Sequence, residues 1–195
     1  MAIPINIEDL LNKRKIESNR IEFKKGWNPD RIYRTICAFA NDFDNIGGGY
    51  IVVGIEEEER TGIAKRPVTG LPIEGLNDIQ KDMVGYNNKI EPYYMPRIDV
   101  QEVDGKSVLV IWAPAGVNRP YNVRERVTAK QSPSKWYVRS GTSTIEAKGE
   151  VLDELREMAN RTPFDERGNE RIEISDISPA LVLDYLQTVD SRLAN

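Results

Sequence analysis

Apolar and polar positions follow different rhythms along this chain, and each change of rhythm marks an element. Ile7-Glu8-Asp9-Leu10-Leu11 has the spacing of a short amphipathic helix running toward Lys15. Ser18-Asn19 supplies turn chemistry, and Ile21-Glu22-Phe23-Lys24 then alternates as a half-buried strand does, with Glu22 and Lys24 sharing its polar face. Asn28-Pro29-Asp30 is a helix-start signal. Behind it Ile32, Tyr33, Ile36, Cys37, Phe39 and Ala40 give a broad apolar face up to Asn41, so Cys37 reads as a small buried hydrophobe. The run Gly47-Gly48-Gly49 turns the chain into Tyr50-Ile51-Val52-Val53-Gly54-Ile55, a continuous β-branched stretch typical of a strand buried on both faces.

The second half is patterned less regularly. Leu76 to Asn88 reads as a helix with Ile79, Met83 and Val84 on one face, and Pro92 and Pro96 bracket an aromatic turn. Arg97–Val103 and Ser107–Trp112 flank Asp104-Gly105, the strongest hairpin signal in the chain. Trp136–Arg139 reads as a strand, and Ser140-Gly141-Thr142-Ser143-Thr144 is expected to lead into a helix from about Glu146 to Asn160. A polar connector from Arg161 to Ile177 and a terminal amphipathic helix from Pro179 to Leu193 complete the chain. Strands and helices mix without strict alternation, which predicts an α+β fold, a mixed β-sheet packed with helices, carrying a C-terminal helical extension. The expected boundary separates a main domain, 1–161, from a connector and helix, 162–195, leading toward a downstream region.

Composition narrows the chemistry. The 195 residues include no histidine, which excludes Ser-His-Asp triads, Cys-His pairs, HExxH zinc sites and imidazole proton shuttles. The single cysteine, Cys37, excludes internal disulfides and cysteine-rich zinc sites. Hydrolytic chemistry here would rest on carboxylates, lysine, tyrosine or hydroxyls, with Mg²⁺ or Mn²⁺ as the natural helper. No apolar run approaches the roughly 20 residues that span a bilayer, and Met1–Leu11 lacks the basic start and apolar stretch of a signal peptide, so the cytoplasm is the expected location.

The net charge of -4 conceals an asymmetry. Met1–Thr144 carries 21 Lys and Arg against 19 Asp and Glu, whereas Ile145–Asn195 carries 6 against 12. Within the mildly basic body, Lys13 to Arg34 gathers Lys13, Arg14, Lys15, Arg20, Lys24, Lys25, Arg31 and Arg34 against three acids. Arg119 to Arg139 gathers Arg119, Arg124, Arg126, Lys130, Lys135 and Arg139 against Glu125 alone, interleaved with Tyr121, Trp136 and Tyr137. That mixture suits phosphates and stacked bases, and equally suits a solvated hairpin.

Three constellations bear on chemistry. Glu17 and Glu22 flank a turn, with Lys24 on the face of Glu22, and a third acid stands at Glu56 or Glu57 beyond the buried strand. Brought together, three carboxylates would hold one or two divalent cations that activate water, with Lys24 stabilising a developing phosphorane; apart, they are ordinary surface acids. The glycines at 47–49 precede a strand rather than a helix and lack the GxxxxGK[ST] pattern, so a tight turn fits them better than a phosphate cradle. Arg139–Thr144 offers hydroxyls and N–H groups either to an anion or to a plain helix cap.

Glu17-Ser18-Asn19-Arg20-Ile21-Glu22-Phe23-Lys24, Ile36-Cys37-Ala38-Phe39-Ala40-Asn41 and Gly48-Gly49-Tyr50-Ile51-Val52-Val53-Gly54-Ile55 together resemble the Alba-like DNA-binding domain shared by bacterial transcriptional-regulator-like proteins and the Schlafen family. Trp136–Ser143 and Pro163-Phe164-Asp165 are weaker echoes, and the likeness spans roughly Ile7 to Asp165. The resemblance implies a mixed α/β domain at the N-terminus of a longer regulator, often followed by an ATPase-like region. Some Schlafen relatives are RNA endonucleases with three carboxylates, whose positions match Glu17, Glu22 and, counting from Gly48-Gly49, Glu57. Glu replaces Asp in that motif here, and Asp42–Ile46 lengthens the link before the glycines. Those nucleases pair two such lobes in one chain, so an equivalent groove here would need a homodimer.

The leading expectation is a module that binds DNA or RNA through phosphate contacts from Lys13, Arg14, Lys24, Lys25, Arg124, Arg126, Lys130, Lys135 and Arg139, with Trp136 for stacking. The alternatives are a Mg²⁺- or Mn²⁺-dependent endoribonuclease with Glu17, Glu22 and Glu57 as metal ligands and Lys24 as helper, and a protein–protein assembly domain docking through the terminal helix.

Overall fold

The computed structural model describes residues 3, 5–12, 18–58, 60–159 and 178–189. The chain divides into two compact units, Met1–Asn160 and Arg161–Asn195. In the second, the described element is a helix, Pro179–Thr188, with Pro179 in its first turn and Leu181, Leu183 and Tyr185 exposed.

The first unit opens with helix α1 (Ile7–Leu11), capped by the Asn6 side chain, and a single 3₁₀ turn, Ser18–Arg20, that leads into β1 (Ile21–Lys24). Helix α2 (Pro29–Asn41) carries the chain across to β2 (Gly48–Val53), which lies parallel to β1. Helix α3 (Ile73–Asn87) and the two-residue β3 (Ile90–Glu91) precede the hairpin of β4 (Arg97–Val103) and β5 (Lys106–Pro114). Strands β6 (Asn122–Arg124), β7 (Ser134–Ser140) and β8 (Ser143–Glu146) follow, and helix α4 (Glu150–Met158) ends the unit.

Two four-stranded sheets result. The first has the order β1-β2-β5-β4, antiparallel except for the β1–β2 pair, and the second has the order β3-β6-β7-β8 and is antiparallel throughout. Helix α2 packs against β2 and β5 of the first sheet and against β6, β7 and β8 of the second. This explains why Ile32, Tyr33, Ile36, Cys37, Ala38, Phe39 and Ala40 are all buried: apolar side chains more than halfway round a helix require packing on two sides. The other face of the first sheet, with Val52, Val108 and Val110, is closed by Ile3, Leu10 and Leu11, and α4 closes the second sheet through Leu155 against Val138. Every residue of β2 is buried, as its unbroken apolar run predicts.

The α+β fold class expected from the sequence is the one found. The region after Arg139 differs from expectation. Ser143–Glu146 is a strand, β8, pairing back on β7 from Ser140↔Ser143 to Tyr137↔Glu146, and the helix begins only at Glu150. Gly141, at φ 56°, opens a two-residue hairpin turn, and β-branched Thr144 and Ile145 continue into the strand, so the apparent helix cap is turn chemistry. Asn122–Arg124 carries no strand signal because three residues cannot display a period of two; the ladder to β7 defines it.

Candidate functional site

Where β1, α2 and the β7–β8 hairpin converge, they enclose a cleft of about 350 Å³. The alternation of β1 buries Ile21 and Phe23 and leaves Glu22 and Lys24 facing the cleft. On α2, Arg31, Arg34 and Thr35 fall on one side at the three- and four-residue spacing, while the apolar remainder faces the sheets. The two-residue turn brings Thr142, Ser143 and Thr144 to the opposite rim, and Tyr137 of β7 contributes to the wall. Burial raises the Tyr137 hydroxyl above its ordinary pKa, against the lowering field of the Arg34 guanidinium.

One carboxylate organises the floor. Glu22 accepts from Lys24 Nζ on one oxygen and from Arg139 Nη1 at 2.9 Å on the other. Arg139 is only 6% exposed; Nη1 also donates to Thr144 Oγ1 at 2.9 Å, Nη2 donates to the Thr142 carbonyl at 2.6 Å, Nε is buried without a hydrogen-bond partner among the described residues, and Cζ lies 5.1 Å from the centroid of the Phe39 ring. Thr144 Oγ1 lies 3.2 Å from Thr35 Oγ1. Arg139 therefore fastens the hairpin to β1 and α2, and its cation is spent inside the protein. Arg31 and Arg34 differ in kind. Arg34 donates through Nε to the Asp30 carbonyl at 3.1 Å, and among the described residues no carboxylate forms an ion pair with either arginine.

Behind the cleft the chain is locked by two neighbouring side chains. Asn41 donates from Nδ2 to the carbonyls of Tyr121 at 2.9 Å and Tyr137 at 2.8 Å, and its Oδ1 accepts from Tyr121 N–H at 2.7 Å. Asp42, at φ 43°, ends α2 and collects the N–H groups of Ile46, Gly47 and Gly48 at 2.9–3.0 Å. The N–H groups of the glycine turn thus point at a carboxylate of the chain itself, and Arg20 closes the turn from outside through the Gly48 carbonyl at 2.7 Å. A Cβ on Gly48 would lie 2.7 Å from Ala115 N, and one on Gly49 would enter the Phe39 ring, so the glycines are required by close approach.

The other residues singled out in the sequence are distributed as follows. Lys13, Arg14 and Glu17 lie outside the described residues. Lys25 pairs with Glu56 at 2.6 Å, and that lysine holds the Glu56 carboxyl below its ordinary range. Glu57 sits in an isolated bridge with Ala64 and does not line the cleft. Among the described residues no three acidic or sulfur side chains come together as a metal site. Lys135 pairs with Glu125 at 2.6 Å and Glu146 at 3.3 Å, which raises its pKa. Trp136 packs in the cluster under α4, with Arg156 5.7 Å from its ring. Arg124 donates to the Lys130 carbonyl at 3.1 Å, while Arg126 and Lys130 are exposed on the β6–β7 loop. Thr128 ties that loop to the start of α2 by donating to the Asp30 carboxylate at 3.0–3.1 Å.

Charge counting places Arg31 and Arg34 in a basic cluster but does not mark them as cleft residues. The signal that does is their spacing, two arginines at i and i+3 on the polar strip of an otherwise apolar helix.

Two sheets clasping one buried helix, with a basic and hydroxyl-lined cleft at their junction, define a distinct α+β domain type. The chain belongs to the Schlafen, AlbA_2 family, whose model matches residues 17–148. Among solved structures it is similar to the N-terminal domain of a RecG-related protein from Nitrosomonas europaea, at 27% identity and a TM-score of 0.44, covering 65% of this chain and 78% of that one. It is also similar to the DIP2311 protein from Corynebacterium diphtheriae, at 22% identity and a TM-score of 0.48, covering 85% of this chain and 28% of that one. No curated protein matches the chain. Among the described residues no helix is long and apolar enough to cross a membrane.

Proposed function

We propose that this domain is a nucleic-acid-binding module of a transcriptional-regulator-like protein and that it takes phosphates at the cleft between β1, α2 and the β7–β8 hairpin. The observation that carries this reading is the lining itself. Arg31 and Arg34 stand without a carboxylate partner among the described residues, on the same side of α2 as Thr35 and opposite the rim that carries Thr142, Ser143 and Thr144, and such a combination of fork-shaped cations and neutral polar groups suits a phosphodiester. Exposed Arg126 and Lys130 extend the positive surface from the loop that Thr128 holds against Asp30. Membership of the Schlafen, AlbA_2 family supports the same reading.

Binding of labelled DNA and RNA by the whole chain, followed by fluorescence anisotropy across a salt series, tests it. Affinity should fall steeply with salt, and Arg31→Glu/Arg34→Glu should weaken binding by about tenfold or more and flatten the slope by about 1.4–1.8 units in log–log terms, two contacts' worth. Arg139→Lys, provided it folds, should leave the slope unchanged. A salt-independent affinity, or one indifferent to both arginines, would refute the proposal. Adding Mn²⁺ to the same samples tests the endoribonuclease alternative, in which Glu22 would have to exchange its two cations for a metal shared with Glu17 and Glu57.

A further inference from the structure

The shape and lining of the cleft say what form of nucleic acid enters it, on the premise that it is the nucleic-acid site at all. Its deeper groups are recessed: Thr35 and Tyr137 are buried, and the Glu22 side chain is 18% exposed. A continuous duplex is a broad, convex cylinder, and its backbone can meet the exposed Arg31 at the mouth without reaching that floor. A nucleotide freed from base pairing protrudes, and about 350 Å³ is the size of site that accommodates a group of its dimensions.

The chemistry of the floor agrees with the shape. A site for bare phosphate should be cationic throughout, yet Glu22 places a carboxylate among the cations of this one. Lys24 and Arg139 each donate to that carboxylate and use only part of its acceptor capacity. The residual lone pairs repel a phosphate and accept from a sugar hydroxyl or an exocyclic amino group. Phosphate donors at the mouth and an acceptor within therefore match a nucleotide unit, phosphate outward and sugar or base inward. We infer that the cleft binds an unpaired nucleotide of a single strand, in preference to the same sequence in a duplex.

Anisotropy of the whole chain at about 50 mM salt can decide this with three probes: a labelled strand of about 12 nucleotides without self-complementarity, the same strand annealed to its complement, and nucleoside 5′-monophosphates as competitors. The single strand should bind about tenfold more tightly than the duplex, the worth of one stacked or hydrogen-bonded nucleotide. Arg31→Gln/Arg34→Gln should abolish that preference. Ser143→Trp, a change on the exposed rim that blocks the cleft without touching the core, should abolish it too and guards against a double variant that fails to fold. Equal or tighter binding of the duplex would overturn the inference while leaving nucleic-acid binding intact. Monophosphates that compete as well as the strand would overturn it in favour of a free-nucleotide site. Preference retained in both variants would place the strand elsewhere and overturn it as well. Absence of salt-dependent binding to either polymer is the separate result that would remove the nucleic-acid reading itself.

Discussion

Arg139 and Glu22 stand 117 residues apart in the sequence and meet at 2.9 Å, joining the last hairpin of the domain directly to its first strand. The pair is largely sequestered, so its two members are not interchangeable with exposed charges. Arg139→Ala leaves Glu22 with Lys24 alone and strips the Thr142 carbonyl of its donor; urea unfolding should show a loss of about 3 kcal/mol. Arg139→Lys should recover only part of this, because one ammonium cannot serve a carboxylate, a hydroxyl and a carbonyl in a fixed fork. An unchanged midpoint in the alanine variant would show that Arg139 is not the fastener described and would return it to the set of phosphate contacts.

Asn41 makes a second, wholly buried connection, and it is uncharged. Asn41→Ala takes this partner from the Tyr137 carbonyl and the Tyr121 N–H in the interior and leaves the Tyr121 carbonyl with the weak Cys37 thiol donor, each group costing about 1–3 kcal/mol when left unmatched. The expected loss is therefore at least about 3 kcal/mol. Asn41→Asp should be worse than its near-identical shape suggests, since it sets an acceptor against the Tyr121 and Tyr137 carbonyls. Equal stability of the aspartate variant and the parent would contradict the assigned orientation of the amide.

Glycines at different sites should respond in opposite directions. Gly48→Ala combines φ 79° with contact against the backbone of the β5 end, and soluble folded protein should drop sharply. Gly85 lies inside α3, where an added Cβ would meet no heavy atom within 4 Å. It should tolerate alanine and gain about 0.5–1 kcal/mol from helix propensity. Thermal melts of the two variants beside the parent would check both signs, and a stabilising Gly48→Ala would contradict the close approach.

Cys37 offers a pH signature. Burial pushes its thiol from an ordinary 9.0 up to about 12, so the folded state holds a proton that the unfolded chain gives up earlier. The contribution to stability is fully present below pH 9 and declines as pH rises toward about 12. Burial raises the Tyr33 and Tyr94 hydroxyls as well, adding to the same alkaline sensitivity. The thiol should therefore resist a disulfide-exchange reagent near pH ~8 in native protein and react at once in denaturant; rapid native labelling would refute its burial.

Local signals make much of the frame legible. The Asn28-Pro29 start of α2, the apolar run of β2 and the Asp104-Gly105 turn, with φ values of 52° and 72°, each depend on neighbours in sequence. What escapes depends on partners far along the chain. β6 exists because β7 pairs with it, and β8 shares its turn vocabulary with a helix cap, so both need the second sheet to be seen. The site divides in the same way. Glu22 and Lys24 can be placed on one face of a strand from alternation alone, whereas the partner that fixes Glu22 lies beyond any periodic pattern. Of the bases nominated from composition, Lys24, Lys25, Lys135 and Arg139 have acidic partners, because a count of charges carries no information about which of them are already neutralised.

The hairpin tip at Gly141–Thr142 projects from a frame that Arg139 secures just before the turn begins. A side chain built on Gly141 would meet no heavy atom within 4 Å, and Thr142 and Ser143 are exposed. The outward side chains of the tip are thus free of the buried layers, while the backbone beneath them stays tied to those layers through the Thr142 carbonyl and Arg139. Duplicated copies of the domain can diverge at this tip, acquiring different preferences for what they hold, while the buried helix and its two sheets remain under undiminished constraint.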